Sequence, residues 1–339
     1  METTSHDPTR AAPCWCLSMG NVGMMSQIIG LACAVGLTHT TKKTRLAFPW
    51  KWMPLEAIPR QPWAITCPKQ ITCSPPPRLV ISCGRHAIIP ALTLKNQYGD
   101  QVFTVHIQDP ATNPAPFDLV VVPKHDYTRG PNVYLSNGAL HYVTPDRLAA
   151  AKADPIRDDI LLDRRTVVTV LVGGPNNYYR FSNRDLEPFY DKLHQLGRQS
   201  RMAILPSSRT PESVCKRLRS EFSSDHYVWD RSDSNPYFTA LAVASHLVVT
   251  GDSVSMITEA TATGRPVFVE YLTEKRRARR FRRFHAQFQQ AEFTRPFEGV
   301  LADWTYQPPN DTSQVAQIIQ ERIGFHDTPK CSPQYHPAA

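Results

Sequence analysis

The chain has 339 residues, of which 41% are hydrophobic and 20% charged, a balance that suits about two globular domains with their own cores. Its formal net charge of +8 favours anionic partners such as nucleotide phosphates or anionic lipid. No run approaches the roughly 20 apolar residues of a membrane-spanning helix. No cysteine and histidine set has zinc spacing, and no Asp-x-Asp triplet occurs, so no metal is expected. The eight cysteines form no Cys-x-x-Cys pair and fit free thiols in a reducing compartment, and no secretory signal is visible, so we predict a cytoplasmic chain.

Short apolar runs followed by helical stretches fill the first half of the chain, which is typical of a parallel α/β sheet. We predict strands at 14–18, 78–82, 102–106 and 119–122, with helices that extend to residues 35 and 96 after the first two. His106 lies within a strand and is predicted to be a packed core histidine. A flexible tail is predicted at 1–13 and a first Rossmann-like domain at 14–145.

A polar, charged stretch at 146–165 is predicted to be a domain linker, and a second α/β series follows it. We predict strands at 167–172, 201–205, 247–250 and 267–270, and helices at 185–196, 211–222, 236–245 and up to 263. The second Rossmann-like domain then covers 166–325, and a flexible tail covers 326–339. Two such series predict two doubly wound domains that face a cleft, because open α/β sheets bind ligands beyond the carboxyl ends of their strands.

Three loops of the second domain combine glycines, hydroxyls and charge at predicted strand ends. Residues 173–176 pair two glycines whose N–H groups could approach a phosphate, although an ordinary tight turn would look the same. Residues 207–210 place hydroxyls and an arginine before a helix. Residues 251–256 lead into a helix whose Glu259 suits ribose hydroxyls, although Asp252 and Ser253 could equally be caps. The residues predicted to bind a nucleotide diphosphate are Gly173, Gly174, Asn176, Ser208, Arg209, Thr250, Asp252, Ser253, Ser255, Met256 and Glu259.

The first domain offers two glycine junctions and two carboxylates. Each junction joins a predicted strand to a helix and could hold a phosphate or an acceptor. Asp109 and Asp126 follow two later strands and are candidate general bases by residue type, although Asp126 could equally cap the turn before Gly130. The residues predicted at the junctions are Gly20, Asn21, Gly23, Gln27, Gly84 and Arg85.

Residues 275–283 carry seven basic side chains, while Phe281, Phe284 and Phe288 recur at helical spacing. One prediction is a surface for anionic lipid, an acceptor phosphate or a membrane-associated protein. The other is a solvated helix that packs through its phenylalanines. No nucleic-acid-binding motif is recognisable, so nucleic acid is not expected as a partner. The surface would consist of Lys275, Arg276, Arg279, Arg280 and Arg283.

The ordered set of motifs resembles the mitochondrial-fission family first known from plants as elongated-mitochondria proteins, which has many bacterial members. The resemblance runs from Trp15 to about Ile323. Two departures are Met19, where the family has an acidic residue, and Ser208, where it has a basic one. The motifs are Gly20 to Gly23 with Gln27, Ile81-Ser82-Cys83-Gly84-Arg85, Ile107-Gln108-Asp109-Pro110, Gly173-Gly174-Pro175-Asn176, Ser208-Arg209-Thr210-Pro211, Asn235-Pro236-Tyr237, and Thr250 to Ala260.

The resemblance implies a GT-B-like fold, and bacterial members of the family are often labelled nucleoside-diphosphate-sugar epimerases. Plant members act at the outer mitochondrial surface, where they help to recruit a dynamin-related protein. The short segment before residue 14 favours a bacterial-type member, which would be cytoplasmic or peripheral at the inner membrane.

Three functions are open from the sequence. The first is a metal-independent, glycosyltransferase-like enzyme without a cofactor, which binds a nucleoside-diphosphate sugar in the cleft and stabilises the leaving diphosphate. The second is a non-catalytic adaptor at a membrane surface, since the missing carboxylate at Met19 weakens any base role there. The third is an NAD-dependent sugar epimerase, because Tyr271 and Lys275 have Tyr-x-x-x-Lys spacing. Against it, no acidic residue occurs between Asp7 and Glu56 to complete a dinucleotide motif.

Overall fold

The computed structural model describes residues 13–324, apart from positions 67, 73, 74, 164 and 233. The predicted tails at 1–13 and 326–339 lie outside these residues, except for Pro13. The strands are β1 Cys14–Ser18, β2 His39–Lys43, β3 Leu79–Cys83, β4 Phe103–Ile107, β5 Leu119–Pro123, β6 Val133–Ser136, β7 Thr166–Val172, β8 Ser200–Pro206, β9 Tyr227–Val228, β10 His246–Thr250, β11 Val267–Glu270 and β12 Thr294–Pro296. The α-helices are α1 Val22–Val35, α2 Lys69–Thr72, α3 Arg85–Tyr98, α4 Pro145–Ala151, α5 Ile156–Ile160, α6 Glu187–Gly197, α7 Glu212–Phe222, α8 Tyr237–Val243, α9 Val254–Thr261, α10 Arg279–Gln290 and α11 Asp311–Ile323.

The chain divides into two compact units. The first comprises residues up to 136, residues 140–142 and helix α11, and the second comprises residues 137–139 and 143–310. Each unit contains its own six-stranded sheet, in which every strand pairs in parallel with its neighbours. The predicted α/β class is confirmed. Among the described residues, no helix combines the length and the apolar character needed to cross a membrane.

The sheet of the first unit has the strand order β2-β1-β3-β4-β5-β6. Strands β3 and β5 are buried along their whole length, which explains why their sequences are continuous apolar runs. The strand order reverses between β1 and β3. The sequence predicts β1, β3, β4 and β5 but misses the two edge strands. One of them, β2, consists of the polar residues His39 to Lys43 and pairs only with β1.

The predicted packing of His106 in the first core is confirmed. The residue is fully buried on β4. Its Nδ1 lies 2.9 Å from the Ser82 hydroxyl oxygen, and its ring packs 5.2 Å from that of Phe117. Burial lowers the pKa of His106 to about 3, so the imidazole is neutral at physiological pH.

Helix α11 corrects the predicted domain boundary, because it packs against α1 in the first unit and not in the second. Ile319 is fully buried, and Gln320 Nε2 donates a hydrogen bond to the Val35 carbonyl oxygen at 3.0 Å. The Thr312 hydroxyl accepts from the His141 N–H at 3.1 Å. Helical periodicity shows which face of α11 is apolar, but it does not show which core that face covers.

The sheet of the second unit has the order β12-β11-β10-β7-β8-β9, which reverses between β7 and β10. The predicted linker at 146–165 belongs to this unit, because helices α4 and α5 pack against α8. Ile160 is fully buried, and the Arg147 guanidinium lies 4.0 Å from the centre of the Phe238 ring. This charged segment therefore forms two short helices of the second unit and is not a linker.

Helix α10 contains most of the basic run and packs through its phenylalanines, as one of the two predictions has it. Phe284 and Phe288 are fully buried, and the Phe281 ring lies 5.2 Å from that of Tyr179. The basic side chains at 275–277, 279 and 280 are exposed. Helix α10 therefore packs against the second unit through its phenylalanines while it exposes arginines on its other face.

The packing of α11 can be tested with two neighbouring isoleucines. Ile319→Ala removes a fully buried side chain and should lower the free energy of unfolding by about 2–4 kcal/mol. The matched control, Ile318→Ala, changes a partly exposed position and should cost about 1 kcal/mol or less. Urea unfolding followed by circular dichroism measures both. Equal losses in the two variants would contradict the packing of this helix face.

Candidate functional site

The carboxyl ends of β7, β8 and β10 lie at one edge of the second sheet, beside the reversal of strand order. Strands β7 and β10 are direct neighbours, and β8 flanks β7 on the other side. The loops that follow them are 173–176, 207–211 and 251–253. In doubly wound sheets this edge is where ligands bind, so the three loops form the candidate site.

The glycine loop after β7 is tied to the loop after β10. The Gly173 N–H donates to the Thr250 hydroxyl at 2.8 Å, and the Gly174 N–H donates to Asp252 Oδ2 at 3.0 Å. Asn176 Nδ2 donates to the Asp252 carbonyl oxygen at 3.1 Å. The two N–H groups predicted to meet a phosphate are therefore already bonded to side chains of the protein.

The two glycines instead allow the loops to approach closely. A Cβ atom on Gly173 would lie 2.2 Å from Asp252 Oδ1, and one on Gly174 would lie 2.2 Å from the Arg209 carbonyl oxygen. Neither contact is sterically possible. In the structure these glycines allow close packing of the strand-end loops, and both of their N–H groups are bonded within the protein.

Asp252 is the buried carboxylate at the centre of this contact. Its side chain has no exposed surface, and it accepts hydrogen bonds from Thr250 Oγ1 at 2.7 Å and from Arg209 Nη2 at 2.8 Å, besides the one from Gly174. Burial raises the pKa of Asp252, and the Arg209 guanidinium and the hydrogen bonds offset part of that rise. Arg209 is itself 42% exposed at its side chain, so its other face is open to solvent.

Helix α9 begins directly after Asp252. Ser253 is its N-cap, and its hydroxyl oxygen accepts from the Met256 N–H at 3.4 Å. The first turn contains no acidic residue, and Ser253, Val254 and Ser255 are partly exposed. The first-turn N–H groups of a helix have no intrahelical partner, so this end is suited to an anion.

Glu259 lies on the same helix and is only 8% exposed. Its Oε2 accepts a hydrogen bond of 2.6 Å from the Tyr237 hydroxyl, which belongs to the Asn235-Pro236-Tyr237 motif at the start of α8. Burial and the adjacent carboxylate raise the pKa of Tyr237 far above its usual value, so it stays a donor. The predicted ribose carboxylate is therefore held by a phenol hydroxyl.

A cavity of about 280 Å³ lies beside the same edge, between the loop after β11 and helix α10. Its walls include Tyr179, Tyr271 and His285, together with the backbone of Gly251. His285 Nε2 lies 2.9 Å from the Gly251 carbonyl oxygen and donates to it. Neither His285 nor Tyr179 belongs to a strand-end motif, so no sequence pattern points to them.

Arg231 also supports the site, although no motif in the sequence indicates this role. It lies in the loop after β9, with a left-handed φ of 69°. Its Nη2 donates to the carbonyl oxygens of Ser207 and Thr210, so it holds the loop after β8. Ser208, predicted to contact a nucleotide, is exposed within that loop.

The first unit gathers its two predicted glycine junctions at the reversal between β1 and β3. Gly20 has a left-handed φ of 97°, and its N–H donates to the Ser18 hydroxyl at 3.0 Å. A Cβ on Gly84 would lie 2.9 Å from Met24 Cε, so the second junction touches the first turns of α1. Gln27 Nε2 donates to the Gly23 carbonyl oxygen in its own helix. The other two predicted junction residues lie at helix starts. Asn21 is the N-cap of α1, and Arg85 is the first residue of α3.

Asp109 links two loops of the first unit. It accepts from the N–H groups of Ala111, Tyr127 and Thr128 and from the Thr128 hydroxyl. Burial acts to raise the pKa of Asp109, but these hydrogen bonds outweigh it and the pKa lies below its usual value. These hydrogen bonds connect the two loops. Because they stabilise the ionised carboxylate, Asp109 is a poor general base. Asp126 is 4% exposed and lies beside the buried His125, 3.9 Å from its Nε2.

A sequence model of the family described as mitochondrial fission ELM1 matches residues 22–323. The mitochondrial fission protein ELM1 of Arabidopsis thaliana is 30% identical over 285 residues, which cover 73% of this chain and 64% of that protein. The chain thus spans less than two thirds of the length of this relative.

Two solved structures share the fold. A putative UDP-N-acetylglucosamine 2-epimerase from Listeria monocytogenes superposes with a TM-score of 0.54 at 10% identity, over 95% of this chain and 100% of that one. The UDP-GlcNAc 2-epimerase of Methanocaldococcus jannaschii, in complex with UDP-GlcNAc and UDP, gives 0.51 at 10% identity, over 91% and 99%. At this identity the likeness concerns the fold alone, which is of the GT-B type with two Rossmann-like units.

His285 predicts a measurable pH dependence of stability. Burial lowers its pKa to about 4, from 6.5 in the unfolded chain. The unfolded state therefore binds more protons between these values, and the free energy of unfolding should fall by about 1.4 kcal/mol per pH unit as the pH drops below 6.5 towards 4. His285→Gln keeps a donor for the Gly251 carbonyl and should remove this part of the slope. Urea unfolding at several pH values measures it, and an unchanged slope in the variant would contradict the assignment.

Proposed function

This chain belongs to the mitochondrial fission ELM1 family, and we propose that its second unit binds a nucleoside-diphosphate sugar at the ends of β7, β8 and β10. The observation that carries the proposal is the contact of Asp252 with Arg209 and Gly174, which joins the three strand-end loops where the strand order reverses. A 2-epimerase of the same fold is described in complex with UDP-GlcNAc and UDP, which supports this class of ligand.

The diphosphate would lie at the start of α9. Its donors would be the N–H groups of Val254 and Ser255 and the Ser255 hydroxyl, with charge from the open face of Arg209. The helix dipole adds a favourable potential at this end, and no first-turn carboxylate opposes it. Gly173 and Gly174 would contribute shape and not donors.

The ribose would be bound by Glu259 on the same helix. Because the Tyr237 hydroxyl now donates to Oε2 of this carboxylate, a ribose hydroxyl would share or replace that hydrogen bond. Arg209 near the phosphate and Glu259 near the ribose divide the recognition of the nucleotide between two side chains. Each part can then be probed with a different ligand.

The reaction that fits this arrangement is transfer of the sugar from the diphosphate. Negative charge that develops on the leaving diphosphate would be stabilised by the α9 N–H groups and by Arg209, in an arrangement already fixed by Asp252. Asp109 is a poor candidate for the base that activates an acceptor, because its oxygens are hydrogen-bonded. Asp126 is only 4% exposed in the first unit.

Calorimetric titration with UDP and with inorganic pyrophosphate tests this division. Arg209→Gln should weaken both ligands by roughly 10-fold, because it removes a charge-assisted contact to phosphate. Glu259→Gln should weaken UDP by a similar factor and leave pyrophosphate unchanged, since only UDP has a ribose. Arg198→Gln, at the exposed C-cap arginine that follows α6, is the matched control and should change neither affinity.

Failure of the folded wild-type protein to bind UDP at millimolar concentration would refute the proposal. If UDP binds equally well to Arg209→Gln, the class of ligand stands but the binding site lies elsewhere in the chain. An equal loss of UDP and pyrophosphate in Glu259→Gln would contradict the ribose assignment alone.

A second candidate function is a non-catalytic adaptor at a membrane surface, favoured by the exposed cations at 275–277, 279 and 280. The adjacent Glu274 forms an ion pair with Arg282, at 2.6 Å. Charge reversal of the five exposed positions should abolish binding to anionic vesicles if this surface docks there. Intact vesicle binding would assign membrane docking to another part of the chain.

A further inference from the structure

The segment between β2 and β3 of the first unit is a compact attachment to the sheet. Its two arms pair through Leu46 and Ile65, with the Ala47 N–H donating to the Ala64 carbonyl oxygen at 2.9 Å. Leu46, Leu55 and Ile65 are buried and belong to the core of the unit. The segment is therefore a fixed part of the fold, and its outer surface has a defined shape.

This segment exposes large aromatic side chains. Phe48 is 80% exposed, Trp52 is 77% exposed and Trp63 is 57% exposed. The Trp63 ring lies 5.4 Å from that of Trp50, which holds it in place. Exposed aromatic side chains of this size, close together in one segment, are typical of an interaction surface.

The same segment is strongly basic. Residues 44–78 contain five lysine and arginine residues and one acidic residue, Glu56. Lys51 Nζ lies 5.1 Å from the centre of the Trp52 ring, so charge and exposed aromatic surface adjoin each other. Aromatic rings with lysine and arginine beside them fit the interface of an anionic membrane, where rings enter the headgroup layer and cations meet phosphates.

A cavity of about 420 Å³ is lined by Phe48 and by Lys51, whose ammonium group adjoins the Trp52 ring. Its polar wall is formed by Arg45, Lys51, His86 and Thr66, and its apolar wall includes Leu46 and Phe48. Among the described residues that line it, none is a carboxylate. His86 Nδ1 accepts from the Leu46 N–H at 3.1 Å, so the proton of the neutral ring is on Nε2. The cavity therefore offers two cations and a ring whose other nitrogen is a donor, without a competing acid.

The position of this cavity in the fold also favours a ligand. Met19, which lines it, follows β1, and His86 lies in the first turn of α3, which follows β3. These are the two strands between which the order of the first sheet reverses. Burial and the nearby charges of Arg85, Arg45 and Lys51 lower the pKa of His86, which agrees with an excess of positive charge here.

We propose that this cavity and the rings around it bind a phosphate-bearing lipid at a membrane surface. Arg45, Lys51 and His86 hold the headgroup phosphate, while Phe48 and Trp52 enter the interface. A free phosphate would account for the cations but not for the apolar wall and the exposed rings, so a lipid fits better. The site lies wholly within the first unit and does not depend on nucleotide binding by the second.

Flotation of the full chain with vesicles tests the proposal. Vesicles of phosphatidylcholine with about 20 mol % phosphatidic acid should bind the chain, and pure phosphatidylcholine vesicles should bind it far less. The double variant Arg45→Gln, Lys51→Gln should lower the partition coefficient roughly 30-fold, at about 5-fold per charge. The variant Phe48→Ser, Trp52→Ser should lower it at least about 10-fold. All four positions lie at the surface or the cavity wall, and melting curves confirm that the variants fold.

Two matched controls locate the effect. Arg198→Gln, Lys216→Gln removes the same charge from exposed positions of the second unit that lie outside both candidate sites, and Tyr127→Ser removes an aromatic ring that is 72% exposed elsewhere. Both should bind vesicles as the wild type does. Trp fluorescence quenched by brominated acyl chains in the wild type, and less in Trp52→Phe, would support insertion of this ring.

Three results would overturn the proposal. The wild type could fail to bind the anionic vesicles. Binding could survive in the Arg45, Lys51 variant and disappear in an Arg276→Gln, Arg280→Gln variant of the basic run, which would place the membrane surface on the second unit. Inorganic phosphate at equal phosphate concentration could displace the vesicles, with no effect of the aromatic substitutions, which would make the ligand a free phosphate.

Discussion

The candidate site of the second unit depends on one buried carboxylate. Asp252 joins the loops that follow β7, β8 and β10, because it accepts hydrogen bonds from Gly174, Arg209 and Thr250 at once. A buried carboxylate is stable only when such donors replace its water. The same residue lies directly before the cap of α9, so the contact that closes the loops also sets the start of that helix.

This arrangement decides which groups are open to a ligand. The N–H groups of the glycine loop are used internally, whereas the first turn of α9 and one face of Arg209 face outwards. Glu259 lies further along α9, and its carboxylate accepts a hydrogen bond from the Tyr237 hydroxyl of α8. When a nucleotide binds, the groups around its phosphates would need little rearrangement. Near the ribose, one hydrogen bond between Tyr237 and Glu259 would be exchanged for one to the ligand.

The sequence predicts the alternation of strands and helices well, because buried parallel strands such as β5 are apolar throughout. It misses β2, since an edge strand can be polar, and it assigns α11 to the wrong unit, since periodicity carries no information about the partner. It finds the three loops but not their internal bonds. A glycine pair looks the same whether its N–H groups meet a phosphate or the carboxylate of Asp252.

The most direct test of the central claim is hydrogen–deuterium exchange with and without UDP. Val254 and Ser255 lie in the first turn of α9, where N–H groups have no intrahelical partner, so they should exchange fast in the free protein and slow down when a diphosphate binds. Protection should be concentrated in residues 250–259 and in the loop after β8. Exchange that is unchanged there, or protection confined to the first unit, would contradict it.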